Sequence, residues 1–178
     1  MITHLNKNNK PRIVDINSKK NTKRSAKAEG KVTFSKKVFD KITKMQNKKG
    51  EIINISILAG IIGAKKTSEL IPLCHNIGIE NVDINIKSIK KDSSLKVLAE
   101  VKTFGKTGVE MEALTAVSVS CLTIYDMCKS IDKSIVIKEI KLIAKKGGKS
   151  DFKIDKWLKI TQKLKKNKNI VETLAEHI

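Results

Sequence analysis

From Ala26 to Phe34, small and apolar residues alternate with Lys27, Glu29, Lys31 and Thr33. A period of two is that of a strand with one buried face. At Ser35 the period changes. Val38, Ile42 and Met45 recur at helical spacing, and Ser35 stands where a cap belongs. Lys48-Lys49-Gly50 is expected to break this helix. A second helix is expected from about Glu51 to Leu70, stopped by Pro72. Val82, Ile84 and Ile86 then alternate with polar residues, as do Leu95, Val97, Ala99 and Val101, with a turn at Lys91-Asp92-Ser93-Ser94. That pattern predicts a hairpin. A long helix is expected from Thr107 to Lys129, with Val109, Ala113, Val117, Leu122 and Ile124 available for burial. Ile135 to Ala144 reads as a last strand.

The predicted order is that of an α+β, ferredoxin-like βαββαβ fold with an extra helix. Helices on one face of an antiparallel sheet leave the other face open. Cover from further subunits is therefore expected. The pattern divides the chain into a flexible basic segment (1–22), a folded domain (23–152) and a Lys-rich extension (153–178). The extension reads as a helix with Ile154, Trp157, Ile160 and Leu164 as its stripe. Within the first segment, Ile13-Val14-Asp15-Ile16 reads as a short edge strand.

Composition adds charge to this picture. Lysine and arginine number 37 against 18 acidic residues, a formal charge of +19. Such a surface attracts polyanions, although compositional drift toward Lys, Ile and Asn accounts for much of it. The three cysteines are unpaired in spacing and predict reduced thiols. The N-terminal residues have no hydrophobic signal core, and Ile52–Ile62 is too short to span a bilayer. A cytoplasmic protein without membrane attachment is expected. A nucleic-acid-binding module with a ferredoxin-like sheet is the alternative. Yet its strands would show aromatics for base stacking, where this chain has Val82, Ile84, Val97 and Val101.

Candidate chemistry falls in a few places. Gly148-Lys149-Ser150 resembles the end of a P-loop, but Ile143 stands where the loop's first glycine belongs. Gly147 and Gly148 are left as an anion-facing turn or an ordinary strand end. His75, in "IPLCHN", is suited to proton transfer or to local hydrogen bonding. Cys74, Cys121 and Cys128 form no C-x-x-C, so no metal site is expected. Cys121 and Cys128 read as core. Thr107 and Glu110 fit a capping box, which Glu112 does not share. Asp126 and Lys129 read as a surface ion pair, or as a general base given a perturbed pKa by its apolar neighbours. Lys49 sits in an expected loop, as a ligand-reaching or a merely solvated lysine.

The segments "IPLCH", "GKTGVEMEALTAVSVSCLTIYDMCK" and "LIAKKGGKSDF", with "IVDI" and "NKKGEI", resemble those of the cyclic pyranopterin monophosphate synthase family of molybdenum cofactor biosynthesis. The resemblance spans about residues 12 to 152. It implies a lyase that converts (8S)-3′,8-cyclo-7,8-dihydroguanosine 5′-triphosphate to cyclic pyranopterin monophosphate and pyrophosphate, with no metal or organic cofactor. The substrate would come from a radical SAM enzyme acting on GTP. Homohexamers, as trimers of dimers with sites between subunits, are implied too. By position, Asp126, Lys49 and Lys129 correspond to the catalytic residues. Leu73, Cys74, His75, Glu110, Met111, Glu112, Lys145 and Arg24 correspond to the substrate-binding ones. Asn76 replaces the family's usual proline after Cys-His, which loosens the expected hold on His75. The extension runs past the family's usual end; its basic amphipathic pattern suits packing on the oligomer, which is the expectation, binding to an anionic surface, or no role at all.

Overall fold

The computed structural model describes residues 4–44 and 46–154, with the backbone alone from 46 to 49. The expected Lys-rich helix with Trp157 lies outside the described residues. The chain runs β1 (Thr22–Thr33), α1 (Lys36–Lys44), α2 (Gln46–Lys65), α3 (Thr67–Leu70), β2 (Asn81–Ile89), β3 (Ser94–Gly105), α4 (Glu110–Cys128), β4 (Val136–Lys146) and β5 (Phe152–Lys153). The sheet order is β2-β3-β1-β4-β5, antiparallel throughout. Its first four strands give the ferredoxin-like arrangement expected. The short β5 is an addition to that order; it returns the chain after the Gly147-Gly148 turn to pair with Ala144 and Lys145.

The alternation in β1 works as read. Ala26, Ala28 and Val32 are buried together with Val97, Ala99 and Val101 of β3. Helix α4 crosses this face with Ala113, Val117, Cys121 and Ile124 fully buried. A side chain on Gly30 would sit 2.6 Å from Val117 and 3.1 Å from Cys121, so glycine sets how closely α4 lies on β1. α2 packs on α4 in the same way. The Ser120 hydroxyl donates to the Ser56 carbonyl at 2.9 Å, and a Cβ on Gly60 would meet the Ala116 carbonyl at 2.9 Å. The two helices are therefore antiparallel, with the start of α2 beside the end of α4. By length and composition α4 would pass for a membrane span. Its burial against the sheet and α2 makes it the core helix instead.

Three expectations change. Lys48-Lys49-Gly50 does not break the chain: all three lie within α2. α1 already ends at Lys44 and α2 begins at Gln46; α2 in turn stops at Lys65, and beyond it the buried Thr67 hydroxyl bonds the Ala64 carbonyl at 2.9 Å. Leu122 is 58% exposed, since it points away from the sheet. Residues 13–16 are not a strand. The open face of the sheet carries the charged residues of the β1 alternation. Lys27 pairs with Glu100 at 3.0 Å, and Glu29 pairs with Lys96 at 2.6 Å and Lys141 at 3.3 Å. A face of this kind tolerates water. Ile55, Leu58, Ile62 and Leu122 stand exposed on the helical layer.

Candidate functional site

Both ends of α4 carry candidate residues, and they differ. At its N-terminal end, Leu73, Cys74 and His75 arrive on the loop after α3. They line a cavity with Glu110, Met111 and Glu112, and with Thr107, Gly108, Ile77 and His4. Arg24 and Lys145 join from the sheet, because β1 begins and β4 ends beneath this end of the helix. Lys145 pairs with Glu110 at 3.3 Å, and the Arg24 Nε–H donates to the Gly105 carbonyl at 2.9 Å. All eight residues expected to bind substrate thus gather at one end of the fold.

The capping box expected of Thr107 and Glu110 does not form. The helix begins after Val109 with no side-chain cap. The Glu110 carboxylate folds back over Gly108 toward Lys145, in space a Cβ on Gly108 would occupy. Glu112 is 4% exposed. Burial pushes its carboxyl above the ordinary value, opposed by a hydrogen bond to its own backbone, and the charge of Glu110 pushes it further. Burial, then the Glu112 charge, raises the Cys74 thiol as well, so Cys74 is a neutral wall and no nucleophile.

The "AKKGGKSD" turn is organised by its glycines. Gly147 has φ of +79°, and a side chain there would collide with the Lys23 carbonyl. Its N–H donates to Asp151 at 3.0 Å. The turn closes on β1 and leaves Lys145 directed to Glu110.

The C-terminal end of α4 is open. Asp126 and Lys129 pair at 2.6 Å with side chains 68% and 55% exposed. Asp126 is not enclosed by its apolar sequence neighbours: Ile124 and Cys128 are buried, while Asp126 faces out. The Asp126 hydrogen bond, then its charge, holds Lys129 above the ordinary lysine value, the reverse of what burial does to a lysine. The backbone of Lys49, at the start of α2, belongs to this same end. Glu112 and Asp126 are separated by roughly 21 Å of helix. Proton transfer needs hydrogen-bond reach, about 3 Å. Within one chain the two groups cannot meet on one reacting atom. The cavity at the first end is also small, about 130 Å³, against roughly 300–1,000 Å³ for small-molecule sites.

A model of the MoaC family matches residues 13–148. The chain belongs to the MoaC family. It is 52% identical over 150 residues to a cyclic pyranopterin monophosphate synthase of Helicobacter pylori, covering 84% of this chain and 95% of that one. It is 49% identical over 153 residues to the enzyme of that name from Clostridium acetobutylicum, covering 85% and 95%. The corresponding protein of Peptoclostridium acidaminophilum is 49% identical over 148 residues, covering 83% and 93%. The family span holds every candidate residue from Arg24 to Lys145.

Two participants escape the sequence pattern. His4 lies on the cavity wall, and the Val14 carbonyl meets His75 Nε2 at 2.7 Å. A histidine in a polar leader and a backbone carbonyl give no periodic signal. The one clue is the apolar Ile13-Val14 pair, which reads equally well as a strand.

Proposed function

We propose that the protein is a cyclic pyranopterin monophosphate synthase whose site is completed between subunits. It converts (8S)-3′,8-cyclo-7,8-dihydroguanosine 5′-triphosphate to cyclic pyranopterin monophosphate and pyrophosphate. The carrying observation is the division of one family's residues between the two ends of α4, too far apart to act on one reacting atom in one chain. A second copy, bringing its Asp126, Lys129 and Lys49 end to the cavity of the first, supplies the missing wall. A homohexamer built from such dimers accommodates this. The exposed apolar residues of the helical layer give such contacts a surface.

The division of labour follows from residue chemistry. Arg24 and Lys145 hold the triphosphate, for which Lys145 gives up Glu110. As a hydroxyl oxygen attacks the α-phosphorus, negative charge develops on departing pyrophosphate, and these cations stabilise it. Leu73, Cys74, His75 and Met111 position the base. Opening the fused ring moves protons on and off nitrogen and oxygen. Glu112, with its raised carboxyl, and the Asp126–Lys129 pair with Lys49 are the groups suited to that work. A radical SAM cyclase acting on GTP supplies the substrate.

Incubation with the cyclised triphosphate, followed by assay of pyrophosphate and pterin, tests the activity. The composite site is tested by mixing two inactive variants, Glu112→Gln and Asp126→Ala. Random reassembly restores about a quarter of the sites if they lie between subunits. No recovery would place both groups in one chain's site.

A further inference from the structure

We propose that residues 4–16 act as a strap that sets the orientation and tautomer of His75, making Nδ1 the ring's hydrogen-bond acceptor for the nucleotide. This rests on the reading of the cavity as the substrate-binding end. The deciding contact is His75 Nε2 to the Val14 carbonyl, 2.7 Å and partly buried. A carbonyl oxygen only accepts, so Nε2 carries the hydrogen. A neutral imidazole has a single N–H, which leaves Nδ1 with the lone pair. Nδ1 is then complementary to an N–H or O–H of a bound purine-derived nucleotide. A ring without that partner is free to turn or to exchange tautomers.

The strap is built to hold this place. Asn6 Oδ1 accepts from the N–H groups of Asn8 at 2.9 Å and Lys10 at 3.0 Å. Leu5 bridges Pro11, and the Arg12 N–H donates to the His4 carbonyl at 2.9 Å. This closed turn brings His4 to the cavity wall beside Leu73, Cys74 and His75. Past Val14, Asp15 accepts from the Asn17 N–H at 2.8 Å, and Lys106 donates to the Asn17 carbonyl at 3.2 Å. Lys106 stands in the loop leading to Glu110, so the strap is tied to both loops that frame the cavity. It also supplies what Asn76 does not. Without proline after Cys-His, the ring is oriented by Val14 instead.

The test uses the full chain with ¹⁵N-histidine and no substrate. The resonances of His75, identified by their loss in His75→Gln, are expected to show the Nε2–H tautomer alone. Deletion of residues 1–16 should move them toward averaged values and lower kcat at least about tenfold. A second pair needs no truncation. The shorter amide of asparagine can stand in for Nδ1, and the longer amide of glutamine for Nε2. His75→Asn should therefore retain at least about tenfold more kcat than His75→Gln. An Nδ1–H tautomer in the full chain, an unmoved spectrum and kcat on deletion, or His75→Gln matching His75→Asn would overturn the proposal. The spectrum judges the strap even if the full chain fails to turn over the cyclised triphosphate, an outcome that would instead remove the functional reading.

Discussion

The two ends of α4 come from one helix and reach opposite states. At the N-terminal end a carboxyl is buried, its pKa is raised, and loops from three parts of the chain close over it. At the C-terminal end a carboxylate and an ammonium neutralise each other in water. The first end is organised by its own chain. The second has residues of the right type without the environment that tunes them. Desolvation is what makes a carboxylate or lysine useful near neutral pH. A partner surface that covers Asp126 and Lys129 would provide it. The unequal ends of one helix therefore bear on assembly as well as on chemistry.

The largest effects should follow from breaking the open end. Lys49→Ala, Asp126→Ala or Lys129→Ala should each lower kcat by about 10²-fold or more, with the oligomer intact by size-exclusion chromatography. Full activity in any of them would sink its catalytic assignment. Next comes the closed end. Glu112→Gln should cost activity on a similar scale, about 10²-fold, yet gain on the order of 1 kcal/mol of stability at neutral pH. The sign follows from the raised carboxyl. Folding favours its protonated form, so the stability Glu112 contributes is present below its ordinary value of 4.5 and is lost as pH rises through the folded value. Denaturant melts at about pH 4 and about pH 7 would check this, since the gain should appear only at the higher pH.

The sequence revealed the fold through the periods of β1, the β2–β3 hairpin and α4, where burial and pattern coincide. It failed where local rules were overruled. Gly50 reads as a helix breaker, but packing of α2 on α4 carries the helix through it. Thr107 and Glu110 read as a capping box, but an ion pair with the distant Lys145 competes successfully for the carboxylate. The candidate residues themselves came from the family resemblance. That they divide between two ends was also within reach, because Glu112 and Asp126 lie on one helix of known rise. The strap was out of reach, since a carbonyl contact between residue 14 and residue 75 leaves no mark on side-chain pattern.

The charged sheet face offers a control, because it lies outside both ends. Burial pushes Glu29 up, but hydrogen bonds and charge from Lys96 and then Lys141 outweigh it and hold the carboxyl below its ordinary 4.5. Its contribution is therefore present above that value and is lost as pH falls through the folded one. Glu29→Ala should cost about 2 kcal/mol at neutral pH, less in acid, with kcat unchanged. A loss of kcat would mean that this face is not independent of the site.

The smallest expected effect lies beside Lys49. Gly50 is inside α2, its φ is not positive, and a Cβ there would meet nothing within 4 Å. Gly50→Ala should therefore stabilise the chain by about 0.5–1 kcal/mol, chiefly by restricting the unfolded state. Calorimetry should show a midpoint roughly 2 °C higher. The same variant measured for turnover sharpens the contrast between the ends. If the helical start of α2 is the working form, kcat stays as it was while stability rises. If stability rises and kcat falls, Lys49 must leave the helix to reach the substrate, and the open end works in a form other than this one.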